Sequence, residues 1–114
     1  MTFKHRILAS AVALILIGST ASQAASSVSS QFSAAVAKVL NSIRSGQQAL
    51  ASMSNAEFNQ FVSCAQNVMN DAPLARKQYV LAAGSLSEQR QRFDEVALDN
   101  RAELKQRITR ECYY

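Results

Sequence analysis

The stretch Met53-Ser54-Asn55-Ala56-Glu57-Phe58, continuing through Phe61-Val62, Cys64-Ala65 and Val68-Met69 to Asp71-Ala72-Pro73, decides the fold. Ser54 and Glu57 stand three apart, the spacing of a capping box: the serine oxygen takes the amide of Glu57, and the glutamate reaches back to Ser54. Met53 precedes the cap and Phe58 lies at the fourth helical position, the arrangement of a hydrophobic staple. Phe58, Phe61, Val62, Ala65, Val68 and Met69 then fall on one face of a helix from Asn55 to about Asn70. Pro73 cannot continue that helix and suits the first turn of another.

Working backwards, Phe32, Val36, Val39, Ile43, Gly46, Leu50 and Met53 alternate four and three apart. That spacing predicts one helix ending near Ala51, with Ser29 or Ser30 at its cap. Working forwards, a short helix is expected from Pro73 to Ala83, stopped by Gly84 in the left-handed conformation. Ser85-Leu86-Ser87-Glu88 forms a second capping box. It opens a polar helix with Leu86, Phe93, Val96, Ala97, Leu104 and Ile108 inward. Ion pairs four apart are expected at Glu88–Arg92, Arg90–Asp94 and Glu103–Arg107. No strand-like alternation of useful length occurs. The fold class is therefore all-α, a small four- or five-helix bundle.

Cys64 and Cys112 are the only cysteines. In an oxidising compartment an even number points to disulfides. One bridge over such a loop contributes about 4 kcal/mol in the chain-entropy model. A bridge to a second chain is the alternative, and a Cys-x-x-Cys redox motif is absent. The pairing also constrains the last helix. Unbroken from Leu86 to Cys112, it would travel roughly 40 Å and overshoot Cys64 in a strictly alternating bundle. A turn at Leu98-Asp99-Asn100, with Asn100 as cap and Glu103 at N3, would bring the chain back. Against that, the Ala, Leu, Arg, Glu and Lys residues there favour helix. A continuous or kinked helix is the favoured expectation, and the break is its rival.

The whole chain has 114 residues and a formal charge of +4. Its first twenty-four residues read as an address. Lys4, His5 and Arg6 precede the apolar run Ile7–Ile17, and Ala21-Ser22-Gln23-Ala24 supplies small residues at −3 and −1. This is the pattern of a cleaved signal peptide, residues 1–24, of bacterial type. The run is short for a membrane span, and no lipid-attachment cysteine follows. Cleavage leaves a single helical domain of 90 residues, Ala25–Tyr114, with a net charge of +2 and neither His nor Trp. The expected location is the periplasm or the medium, without stable membrane insertion.

Without a histidine, Ser-His-Asp and Cys-His catalysis are excluded. With both cysteines oxidised, zinc and copper lack good ligands. Ser-x-x-Lys and a glycine-rich phosphate loop do not occur. No catalytic residue, cofactor or metal is expected. Asp94, Glu95 and Asp99 read as a solvated face beside Arg90, Arg92 and Arg101. The basic residues are interleaved with acids rather than aligned with aromatics, so nucleic acid is not an expected partner.

Charge is unevenly placed. Residues 25–70 hold only Lys38, Arg44 and Glu57, whereas residues 71–114 hold fifteen charges. Along the first helix Ser33, Ala37, Asn41, Ser45 and Ala49 form an i,i+4 row of small residues. Together with Tyr113 and Tyr114 this row is a candidate surface for another protein, or for a second copy of the chain. Its plainer role is a neutral face within the monomer, and that of the tyrosines is to cover the disulfide.

The stretch Leu86-Ser87-Glu88-Gln89-Arg90 resembles the Leu-Thr-x-x-Gln-Arg motif of some envelope-stress chaperones, one residue short. It assigns the chain to no family. The expected function is protein binding without catalysis, as an immunity-type inhibitor or adaptor. The alternative is a periplasmic stress chaperone that binds unfolded clients.

Overall fold

A computed structural model describes residues 27–99 and 101–113, and all regular structure among them is helical. The signal-peptide reading, Asn100 and Tyr114 lie outside the described residues. Helix α1 covers residues 27–43. A 3-10 turn, Arg44–Gly46, and a short helix α2, Gln48–Ala51, follow it. Then come α3 (Asn55–Met69), α4 (Leu74–Leu81), α5 (Leu86–Ala97) and α6 (Leu104–Glu111).

Helix α3 is the one most fully specified by its own residues. Ser54 accepts the Glu57 amide at 3.1 Å, and Glu57 Oε1 accepts the Ser54 amide at 2.8 Å, so the capping box is closed on both sides. Two amides that a helix start leaves without partners are thereby satisfied. Its buried residues are Phe58, Phe61, Val62, Ala65, Val68 and Met69, the six of the expected face.

The single helix expected up to Ala51 is instead interrupted. Gln47 takes extended backbone angles (φ −114°, ψ 109°), which separates the 3-10 turn from α2. Glycine at 46 disfavours helix, and the detour still buries Leu50 (2 % exposed). Arg44 fixes the corner: it donates to the Met53 carbonyl (2.9 Å) and to Asn55 Oδ1 (3.2 Å), and lies over the Phe58 ring. Ser29 and Ser30 sit inside α1 rather than capping it. Gly84 does not stop α4 in a left-handed conformation, since no described glycine has a positive φ. Helix α4 runs into Ala82, still right-handed, and the Gly84 amide donates to Glu88 Oε1 at 2.9 Å. The second capping box is thus displaced: Ser85 accepts the Glu88 amide, while Glu88 reaches one residue further back than Ser85.

The favoured continuous last helix is also corrected. Helix α5 ends at Ala97, and a turn returns the chain into α6. Glu103 caps α6 in the left-handed region (φ 52°, ψ 36°) rather than serving as its third residue. The rival reading, a break at Leu98-Asp99, is the one observed, and it carries Cys112 back to Cys64 with Cα atoms 5.5 Å apart in a disulfide. Phe32, Val36, Val39, Ala65, Met69, Val80, Val96, Leu104 and Cys112 belong to one continuous buried cluster fed by α1 and α3–α6. Leu86, expected inside, is 38 % exposed.

Candidate functional site

The row of small residues does not form one stripe. Ser33 is half-buried against α3: its carbonyl accepts from Gln66 Nε2 (2.8 Å), and its hydroxyl accepts from Asn70 Nδ2. Ala37 packs on the core cluster. Asn41 is exposed and donates to the Ala37 carbonyl one turn back. It shares a shallow depression with Ser45, Arg44 and Asn55. Ala49, on α2, lies instead beside Tyr113 and Glu57 in another hollow. The interruption at residues 44–47 separates the row, because i,i+4 residues align only along an unbroken helix. Of the six candidate residues that are described, Asn41 and Ser45 share one hollow and Ala49 and Tyr113 another. Tyr113 packs against Phe61 with ring centroids 4.9 Å apart and stays 39 % exposed.

The return of α6 along α5 creates a feature that the linear pattern does not announce. Where the two helices diverge, a hollow of about 500 Å³ opens, lined by Ala97, Leu98, Thr109, Lys105 and Arg110, with Asp99 and Glu103 at its end. Ala97, Lys105 and Thr109 also line a narrower, more enclosed hollow that reaches Phe61, Phe93, Ile108 and Tyr113. The two hollows share Ala97, Lys105 and Thr109 as lining, with Leu98 at one and Tyr113 at the other. Leu98 is 58 % exposed, the highest exposure among the large apolar side chains of the described residues. Apolar residues at the edge of a concave surface are what a protein-binding site needs. Leu98 was detectable as an apolar residue inside the suspected turn. Lys105, Thr109 and Arg110 carried no signal until α6 was known to lie beside α5.

A second groove, wide and polar, flanks the disulfide and is lined by Gln60, Cys64, Asn67, Asp71, Arg107 and Glu111. Cys64 is half-buried there, whereas Cys112 is fully buried. Arg107 is clasped by Asp71 (2.7 Å) and Glu111 (3.3 Å), and these bonds raise its pKa further above an already basic value. Of the expected pairs only Glu88–Arg92 forms (2.7 Å); Arg107 takes Asp71 and Glu111 instead of Glu103. Between α4 and α5, Arg92 lies over the Tyr79 ring and donates to the Tyr79 carbonyl. The Tyr79 hydroxyl donates to Glu95 (2.6 Å), and this bond holds its pKa above the ordinary tyrosine value. Lys77 is buried (7 % exposed) with its ammonium donating to Ser29 Oγ at 3.1 Å, which ties α4 to the start of α1.

Among the described residues no group of three His, Cys, Asp or Glu side chains is placed to hold a metal ion, and no helix is long and apolar enough to cross a membrane. No protein-family model matches the chain, and neither a curated protein nor a solved structure matches it.

Proposed function

We propose that this chain is a small exported protein that acts without catalysis, by binding another protein as an inhibitor or adaptor of the immunity type. The observation that carries the reading is the pair of neighbouring hollows beside Leu98 and Tyr113. Ala97, Leu98, Phe61, Phe93 and Ile108 give the hollows apolar lining, and Leu98 and Tyr113 stay exposed beside them. Ala49 and Tyr113 line a further hollow together. The N-terminal pattern of residues 1–24 supports export to the periplasm or medium, and one disulfide suits that compartment.

The test is a pull-down from envelope extract followed by titration of the captured protein. An inhibitor or adaptor retains one partner at fixed stoichiometry and does not suppress aggregation of unrelated proteins. A chaperone does the reverse. That second reading draws on Leu74 and Leu86, 45 % and 38 % exposed, which lie outside these hollows. With no histidine after residue 24, an acid trigger for it would act through carboxylates. Mass spectrometry of the exported protein checks cleavage after Ala24 and the loss of two hydrogens at Cys64 and Cys112.

A further inference from the structure

The two halves of the disulfide stand in different surroundings. Cys64, in the second half of α3, is half-buried and forms part of the wall of the wide polar groove. Gln60, Ser63 and Asn67, all exposed, line the groove beside it. Arg107, Asp71 and Glu111 line it as well and are bonded to one another, so the groove offers Cys64 access rather than an unengaged cation. Cys112, at the end of α6, has no exposed surface and takes no part in the groove. Contacts hold the chain down on either side of it: Arg107 is paired with Asp71 at 2.7 Å, and Tyr113 packs on Phe61 with ring centroids 4.9 Å apart. A thiolate opens a disulfide by attacking one of its two sulfurs, and which sulfur it can reach decides the product.

We infer that Cys64 is a modification site, the sulfur on which an external thiol forms a mixed disulfide. The incoming thiolate bonds to Cys64 Sγ as the bond to Cys112 breaks. The electron pair of that bond leaves on Cys112 Sγ, which takes a proton from solvent. One disulfide is consumed and one is formed, so no separate oxidant or reductant is needed. Cys112 remains beside Cys64, the Cα atoms being 5.5 Å apart in the bridge, and attacks the mixed disulfide in turn, expelling the thiol. Exchange thus begins at Cys64, and Cys112 reseals the bridge. A second thiol on the incoming molecule competes with Cys112 and completes the reduction, which removes the covalent tie between α3 and α6.

The test uses the disulfide-bonded chain lacking residues 1–24 and an excess of 2-mercaptoethanol, which is small and carries no charge besides its reacting sulfur. Samples are quenched in acid, digested with pepsin and mapped by mass spectrometry. Reaching Cys112 requires α6 to open locally, so the adduct is expected on Cys64 in about tenfold excess over Cys112. In concentrated guanidinium chloride the two cysteines are expected to carry it about equally, since folding is what distinguishes them. Adduct shared equally, or found mainly on Cys112, in the folded chain overturns the inference. So does a preference for Cys64 of the same size in guanidinium, which would place its cause in the local sequence. Absence of any adduct from the folded chain, when the unfolded chain forms it, overturns it too. None of these outcomes bears on the protein-binding reading, which the pull-down decides.

Discussion

Between residues 27 and 70 the chain carries Lys38, Arg44 and Glu57 and no ion pair among its described residues. Between residues 71 and 113 it carries fifteen charges, and all four described ion pairs run there. The first region is held by apolar faces and by side chains bonded to backbone: Gln66 to Ser33, Arg44 to Met53, Ser54 to Glu57. The second is built from three shorter helices whose corners are set by charge: Arg76 to Asp99, Arg92 to Tyr79, Arg107 to Asp71. Exposed ion pairs contribute little each. Both regions also feed one buried apolar cluster, so they differ in how their corners are fixed rather than in having a core. The division is one of polar contacts, directed at backbone in the first half and at charge in the second.

The largest test of this division is removal of the disulfide, the covalent tie between the two regions. Cys64→Ala/Cys112→Ala should lower stability by about 4 kcal/mol in denaturant unfolding. Hydrogen exchange should show α6 amides exposed first, with α3 still protected. Equal loss in both regions would mean that they form one cooperative unit. Ser54→Ala comes next. It removes one side of the capping box that starts α3 and should cost about 1 kcal/mol, read as a lower Tm with unchanged α5 and α6 exchange. Glu103→Gly acts on the second region with the opposite sign. Glycine relieves the left-handed strain but loses more chain entropy, so a net gain of roughly 0.5 kcal/mol is expected. A loss would show that the Glu103 side chain itself holds the corner.

The smallest effect is acid sensitivity at the α4–α5 corner. Glu88 has its pKa held below the ordinary glutamate range, first by the Gly84 amide and then by Arg92. Because the folded value is the lower one, its contribution is complete above the unfolded value of about 4.3. It disappears as the pH falls through the folded value. Melting curves should show Glu88→Gln less stable than the parent at pH 6 and the gap closing towards pH 3. A constant gap would assign the effect to packing rather than to charge.

How legible these features are follows from where their causes lie. Helix α3 has its start, face and stop written within twenty consecutive residues, so local reasoning reaches its six buried side chains. The interruption at Arg44–Gln47 breaks a spacing that fits one helix, because Leu50 is buried along either path. The α5–α6 corner is hidden more deeply. Its residues favour helix, and its left-handed position is occupied by glutamate rather than glycine or asparagine. The reach needed to join Cys112 to Cys64 points to it, together with the cap-like spacing of Asn100 and Glu103. The hollow beside Leu98 depends on that corner, which is why Leu98 could be suspected, whereas Lys105 and Arg110 could not. The row from Ser33 to Ala49 failed as one stripe for the same reason as the first helix: the four-residue detour at 44–47 rotates everything beyond it.

The bridge between Cys64 and Cys112 has a mechanical consequence. It spans 48 positions of sequence and makes a closed covalent ring of α4, α5, α6 and the C-terminal part of α3. A pulling force applied at the two ends of the chain travels from Cys64 directly to Cys112 and bypasses the ring. Roughly 160 Å of contour length is thereby shielded from extension. The residues lining the Leu98 hollow lie inside the protected loop, while α1, α2 and the part of α3 before Cys64 bear the load.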